Sequence, residues 1–528
     1  MLPRRFSDVL TTQASPTVQL EKGSYRRVRS PRGLRAGPLD FSNRHLPAPA
    51  RASHRNTHPS CRLTALVAGL ILASFLSFSI AYYLFKTRWS ASEHLHVFTN
   101  HRRPQVTVTL PPSEKLSDER FLAYLPHSGY HNQRIAFENA LTLAVILNRT
   151  LIIPPARLGS HPIRYYAYKT LSKAVALSGK DGLFHCAYAS STSSHECVEY
   201  NKYTLLPWTW LVNLASIPFA PRAIHRWDMT PKWIQSHLGL LAQDIFVLED
   251  DKPYQYRYID VPEDPAPPNP RFETLYQITE LARKEHRLIQ LGTLFGTSRL
   301  RLVQPTNRDI RSAIRRAMVF NIPELQAAVT AIVSSLPPVF LGAHARLGDG
   351  WFVDIAEENA RLVWWRLVHE VLGFSIDDTL DIETRLNVPH PARGFHPVNE
   401  TLPPAFPNAR LRCRGQRHSS AHLQALNTPL YVATDAKNPA NEPMLSLFLR
   451  TFPCIYFLDD FAESLQTLDG LVNAYDGIKL KPFLIPFVDA MVAANAWRTV
   501  GTESSTFSRF MEDVLWPSYH GNVIVERG

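Results

Sequence analysis

The chain has 528 residues, 45% of them hydrophobic, enough for a large buried core and for two domains. Its net charge of +11 is concentrated: twelve Lys or Arg against three acids lie within residues 1–62, and the remainder is close to neutral. A charge confined to one Ser-, Pro- and Arg-rich leader excludes a basic binding surface spread over the chain, so no nucleic-acid partner is expected.

Residues 1–62 hold little that could be buried, and their composition predicts a disordered cytoplasmic tail. From Leu63 to Phe85 the chain runs 23 residues without a charge. A helix needs about 20 apolar residues to cross a bilayer, so 63–85 predicts a single transmembrane helix, with Tyr82, Tyr83 and Trp89 at the interface. The stretch begins too far along, and is too long, for a cleaved signal peptide. The basic flank puts the N-terminal side in the cytoplasm. The expectation is a type II protein of the endoplasmic reticulum or Golgi membrane, its bulk lumenal, with residues 86–115 as a stem. A buried soluble helix is the alternative.

Among five cysteines, Cys61 lies on the cytoplasmic flank. The other four could form two disulfides in an oxidising lumen, and Cys186 with Cys197, eleven apart across a Ser/Thr-rich loop, is the expected pair. No Cys-x-x-Cys or His-rich spacing points to a metal. Sequons begin at Asn148 and Asn399. Asn399 sits in a Pro-rich loop and is the better glycosylation acceptor, whereas Asn148 closes a core helix and is expected to be shielded.

Phe121–Gly159 reads as strand, polar loop, helix, strand. The apolar run Phe121–Leu125 ends at Pro126, and His127 to Gln133 form a loop in which Gly129 permits unusual backbone angles. Apolar residues on nearly every turn from Arg134 to Asn148 mark a buried helix, and Leu151–Ile153 is a strand stopped by Pro154-Pro155. Such a unit is the first crossover of a doubly wound sheet, whose ligands sit at the carboxyl ends of the strands. The loop N–H groups and helix N-terminus suit an anion; an ordinary crossover with a capped helix fits the same spacing. The run Gly129 to Arg134, with Asn132-Gln133-Arg134 and the Asn-Arg-Thr, strand, Pro-Pro exit, resembles the first motif of the GDP-fucose protein O-fucosyltransferase-like family, in its membrane-anchored fungal branch.

Further along, Glu249-Asp250-Asp251 reads as a solvated loop and the stretch from Asp264 as another. Arg271–Leu302 and Asn307–Phe320 read as mostly helical, with Arg311, Arg315 and Arg316 on a solvated face. After Pro337-Pro338 a buried strand runs into a Gly loop, which brings Arg346 to a strand's carboxyl end. A guanidinium presents a planar fork that matches a pyrophosphate; an ion pair with Asp349 is the alternative. His344, Arg346 and Gly348 resemble the family's His-x-Arg-x-Gly signature, in which the Arg holds the nucleotide-sugar pyrophosphate and helps GDP leave.

Val363–Phe374 reads as a helix, Asp377 to Glu383 as an acidic loop and Val388–Arg412 as a long Pro-rich loop. Leu430–Thr434 is a strand ending in Asp435, which can accept from a guanine or ribose, or cap the next helix. Cys454–Leu458 is a further strand, and Phe483–Ala494 a helix with an internal Pro. Trp497–Ser508 gives strand, Gly turn and hydroxyl-rich helix start, a potential phosphate cradle. Ser505, Thr506 and Phe507 resemble the family's third motif, which contacts phosphates.

The resemblance implies an α/β, GT-B-like architecture of two Rossmann-like domains, 116–333 and 334–528, facing a cleft. It implies inverting transfer of fucose from a nucleotide-sugar donor, GDP-fucose, to a hydroxyl of a protein or glycan acceptor, with no cofactor. Arg346 and Asn132 are then the expected catalytic residues; His131, Gly129, His344, Asp349, Asp435, Ser505, Thr506 and Phe507 are expected to bind the donor. A catalytic base is left open among His127, His131, Glu138 and His344. A metal-dependent transferase would want an Asp-x-Asp, absent beyond residue 85. A protein that keeps the fold as a binding scaffold, or uses another nucleotide sugar, is the other reading.

Overall fold

Short apolar runs punctuated by Gly and Pro build the strands. The first half carries β1 (Phe121–Ala123), β2 (Thr150–Ile153), β3 (Ala156–Gly159), β4 (Tyr203–Leu206), β5 (Ala223–His225), β6 (Ile245–Leu248), β7 (Tyr256–Ile259), β8 (Thr274–Gln277), β9 (Leu288–Leu291) and β10 (Leu300–Arg301). The second carries β11 (Leu341–Ala345), β12 (Leu430–Thr434), β13 (Ile455–Tyr456) and β14 (Arg498–Gly501). This computed structural model describes residues 67–83, 119–187, 197–218, 221–262, 270–348, 350–386 and 411–525.

Two parallel sheets dominate, in the orders β5-β2-β1-β9-β6 and β13-β12-β11-β14. Their central strands are buried completely, Phe121, Leu122, Leu288, Ile289, Leu341 and Ala343 among them, as sheets covered by helices on both faces require. In each sheet the chain starts centrally, steps outward twice, then returns to the other side. That reversal is a topological switch point, between β1 and β9 and between β11 and β14, and ligands of such sheets bind beyond the carboxyl ends there. The α/β expectation and the parallel sheets are thus met. A small parallel sheet, β10-β7-β8, and the β3-β4 hairpin complete the strands.

Several local expectations are corrected. Arg271–Leu302 is not mostly helical: it holds β8, β9, β10 and only a short helix, Ile278–Ala282. Leu288–Leu291 is buried at all four positions, Gln290 included, because it is an interior strand, not a helix face. The acidic segment is the helix Ile376–Leu386, not a loop; Ser375 Oγ accepts from the Asp378 N–H (3.0 Å), and Glu383 is held by Arg361 and Trp365. Asp250 is buried rather than solvated, packed under Gly292 at the end of β9. The expected helix Val363–Phe374 is an α-helix over Ala356–Trp365 with a π turn at Arg366–Val371, and strand Cys454–Leu458 shrinks to β13. The Pro-rich loop lies almost wholly outside the described residues.

The helix Lys481–Ala494, Pro486 within it, packs on β11 and β12. Gly342 permits that approach, since a Cβ there would lie 2.2 Å from the Ala493 carbonyl oxygen. Gly342→Ala is therefore expected to lower stability by about 1–3 kcal/mol, an overpacking penalty measurable by urea unfolding.

Residues 108–528 form one unit. The helix Pro323–Ser335 packs against 458–468 and Lys481–Ala494 in its second half, so the expected boundary at 333/334 falls inside an element. Cys186–Cys197 forms the expected disulfide, and Cys413–Cys454 a second. His185 lies beside the first, but sulfurs oxidised to a disulfide offer no thiolate for a metal. Among the described residues no helix is long and apolar enough to cross a membrane. Within 63–85, residues 67–83 are helical with exposed side chains; residues 1–62 and 86–115 lie outside the description.

Candidate active site

Three segments meet where the two switch points adjoin. The first leaves β1. His127 is buried and stacks on Tyr165 at 4.1 Å, with its Nδ1 2.7 Å from Ser128 Oγ. Gln133 clamps the loop, its Nε2 donating to the Ser128 and Arg157 carbonyls while its Oε1 accepts the Arg157 N–H. The helix that follows, Tyr130–Ile146, has no acid in its first turn and no side-chain cap, which leaves the positive end of its dipole unneutralised.

The second segment leaves β11. Thr502 Oγ1 accepts from the Arg346 backbone N–H at 2.9 Å, and Asp435 Oδ1 accepts from the Leu347 N–H at 2.7 Å. The other Asp435 oxygen lies 3.2 Å from Arg346 Nε. The sequence leads one to expect Asp435 either to accept from a guanine or ribose or to cap the next helix; the contacts seen give it a different role, as partner of the Arg346 loop. Gly348 packs against that carboxylate, where a Cβ would come within 3.2 Å. Asp349, offered as the ion-pair alternative and as a donor ligand, lies outside the described residues.

The third segment leaves β14. Arg366 Nη1 donates to the Gly501 carbonyl and Nη2 pairs with Glu512, which in turn accepts the Gly501 N–H. Ser505 caps the helix Thr506–Phe510 by accepting from Ser508 N.

Side chains lock the segments together. Thr506 Oγ1 donates to Asn132 Oδ1 at 3.1 Å, which joins the first segment to the third. Phe507 is clamped between two imidazoles, stacked on His344 at 4.1 Å and meeting His131 edge-on at 5.2 Å. His344 Nδ1 and Ser508 Oγ are 2.6 Å apart in a buried hydrogen bond. Burial holds both imidazoles well below the usual histidine range, with Arg346 adding to the effect on each and Arg134 on His131. Burial, then Arg299, lowers His127 to about 3. All three are neutral at physiological pH, and His131 Nδ1 is buried without a hydrogen-bond partner.

Beneath lies a charge cluster that the sequence reading misplaced. Arg311 and Arg315 are buried, not on a solvated face, because helix Pro305–Arg316 packs on helix Tyr130–Ile146; only Arg316 is exposed. Glu138 pairs with Arg134 one turn below and lies 3.9 Å from Arg315 Nε. Arg134 also sits over the Phe510 ring at 4.3 Å. Glu138 is thereby removed from the candidate bases.

The arrangement thus unites Gly129, His131, Asn132, His344, Arg346, Asp435, Ser505, Thr506 and Phe507. Thr502 and Ser508, which no spacing singled out, hold it together. Asn148 is exposed rather than shielded, in a left-handed conformation (φ 50°), but its sequon's Thr150 is buried in β2. Asn399 is outside the described residues.

A family profile described as GDP-fucose protein O-fucosyltransferase matches residues 121–514. O-fucosyltransferase 30 of Arabidopsis thaliana is 41% identical over 96 residues, which is 18% of this chain and 17% of that protein, so the chain matches well under two thirds of that relative's length. A crystal structure of POFUT1 in complex with GDP-fucose aligns over 75% of this chain and 95% of its own, at 10% identity and a TM-score of 0.35. The fucosyltransferase NodZ from Bradyrhizobium aligns over 74% and 92%, at 12% identity and a TM-score of 0.30. At such scores the structural likeness carries no weight.

Proposed function

The chain belongs to the GDP-fucose protein O-fucosyltransferase family, and from that premise we propose that it transfers fucose from GDP-fucose, with inversion, to a hydroxyl of a protein acceptor. The observation that carries this reading is the meeting of Arg346, Asn132 and the Ser505–Phe507 turn at adjoining switch points. The chemistry needs positive charge facing the diphosphate, which gains negative charge as the sugar–oxygen bond breaks. Arg346 supplies a guanidinium whose loop is fixed by Asp435 and Thr502. The uncapped N-terminus of helix Tyr130–Ile146 adds a dipole, and the Ser505 and Thr506 hydroxyls add hydrogen-bonding groups. No metal is assigned a role. The two-sheet scaffold is read as GT-B-like, with donor bound by the β11–β14 sheet and acceptor approaching from the β1 side.

No carboxylate is assigned as base. Among the candidate bases, neutral His131 keeps a buried Nδ1 without a hydrogen-bond partner, packed against Phe507, and is the group we assign to orient an acceptor hydroxyl. The charge-free stretch 63–85 supports anchoring as a single-pass type II protein of the endoplasmic reticulum or Golgi.

Calorimetric titration of the full-length protein with GDP, GDP-fucose and UDP, with and without EDTA, tests the reading. Guanine-selective binding indifferent to EDTA is expected. A folded protein that binds none of these nucleotides would overturn it.

A further inference from the structure

Asp489 lies in the helix Lys481–Ala494, one turn before Ala493, whose carbonyl is the group pressed on Gly342 of β11. The close approach at Gly342 fixes that helix against the sheet, and residues four apart share a face, so Asp489 is held under the far end of the same strands. Its side chain is buried. One carboxylate oxygen accepts from the Tyr431 hydroxyl at 2.6 Å, the other from the Thr434 backbone N–H at 3.3 Å.

Thr434 is the last residue of β12. Its hydroxyl donates to the carbonyl of Ala345, the residue before Arg346, at 2.8 Å. The next residue, Asp435, holds Arg346 Nε and the Leu347 N–H. Asp489 therefore stands behind both strand ends that aim the guanidinium, without touching it.

We infer that Asp489 is a positioning residue for Arg346, and that its ionised carboxylate sets the end of β12 in the geometry that holds the donor diphosphate. This rests on the GDP-fucose reading. A protonated carboxyl has one oxygen turned donor, so it cannot accept from Tyr431 and Thr434 with both oxygens at full strength. Burial raises the carboxyl to about 7, against the lowering pull of its two hydrogen bonds, with Asp459 adding to the rise. The ionisable groups acting on it are Tyr431 from β12 and Asp459 from the 458–468 segment. Asp460 of that segment acts on Tyr431 and is itself paired with Arg414. On its own helix Lys481 is paired with Asp469.

The test is GDP titration of the full-length protein at pH 6 and pH 8, wild type beside Asp489→Asn. An amide resembles the protonated carboxyl, so the two proteins should bind alike at pH 6. At pH 8 the variant should bind about tenfold more weakly, the scale of one lost charge-assisted hydrogen bond. GDP's own phosphate ionisation is common to both and cancels in their ratio. Tyr431→Phe removes one donor from the carboxylate, raises it further and should move the point of divergence to higher pH. The folded protein binds this proton where the unfolded chain has lost it, between about pH 4 and 7, so ionisation lowers stability as pH rises through that window. Asp489→Asn should consequently be no less heat-stable than wild type at pH 8, which separates weaker binding from damaged folding. A wild-type to variant ratio equal at both pH values, or a variant that loses affinity only in step with melting, overturns the assignment. Absence of GDP binding by wild type at either pH is a different result and removes the donor reading itself.

Discussion

Arg346→Ala is expected to lower fucose transfer from GDP-fucose by a factor of about 10²–10³, the range found when one preorganised group facing developing charge is removed. The strand arrangement explains the size. Arg346 follows directly from β11, a strand buried on both faces; its backbone N–H is pinned by Thr502, and that of the next residue, Leu347, by Asp435. Its guanidinium is ion-paired through Nε to Asp435, and its side chain is about one-quarter exposed. A group already ordered loses little entropy on meeting a diphosphate, and at a partly buried position its charge is poorly screened. Arg346→Lys should recover little, because an ammonium cannot reproduce a planar fork that pairs with Asp435 and a phosphate together. The measurement is steady-state kinetics with GDP-fucose and an acceptor, or donor hydrolysis where no acceptor is in hand. Loss confined to KM would mean that Arg346 binds the ground state only. Full activity in the alanine variant would remove it from the chemistry.

Glu138→Ala is expected to cost about 3–5 kcal/mol, the penalty for stranding a buried charge after its partner is taken away. Arg134 is almost wholly buried, and burial lowers its pKa, a sign that its charge is costly where it sits. Arg315 is buried beside it, with its Nε lacking a hydrogen-bond partner. Glu138 is the carboxylate within ion-pair reach of both among the described residues. Without it two guanidinium groups face each other in the core between helices Tyr130–Ile146 and Pro305–Arg316. Denaturant unfolding of Glu138→Ala reads the cost directly. Replacing the trio by apolar residues of similar volume should recover most of it, since ion pairs in cores seldom outperform good packing. A single variant with unchanged stability would mean that water reaches the cluster.

The parts of the fold that sequence pattern exposes are those with local causes. Phe121–Ala123, Leu151–Ile153 and Leu430–Thr434 are apolar runs closed by Pro or a polar pair, and they are strands. Gly129, Asn132, Arg346 and the Ser505–Phe507 turn stand at carboxyl ends because a motif read after a buried strand must lie there. What escaped has non-local causes. Thr502 and Ser508 earn their places through Arg346 and His344, which lie 156 and 164 positions away in the chain. Arg311 and Arg315 look like an ordinary charged helix face until the partner helix, with Glu138 on it, is brought alongside. In Arg271–Leu302 the strands are two to four residues long, too short for period-two alternation to be distinguished from a helical face. Asp377–Glu383 looks solvated because of its acids, while Thr379 and Ile382, three apart, are buried on one face of the helix.

The helix Pro323–Ser335 precedes β11 in the chain but packs on elements that follow it, residues 458–468 and the helix Lys481–Ala494. Its Leu325, Ala328 and Ile332 share one core cluster with Leu465, Leu468 and Leu484 as well as with Leu122 and Phe137 of the first sheet's side. The unit of inheritance is therefore not the unit of sequence. A recombination that exchanged the segment up to residue 333 would carry away most of the helix on which residues 458–468 and the helix Lys481–Ala494 pack. A crossover ahead of Pro323 keeps that helix with the elements it packs on. A crossover there still leaves Asn132 against Thr506, His131 against Phe507 and Arg134 over Phe510 spanning the join, so exchanged segments must match at those contacts.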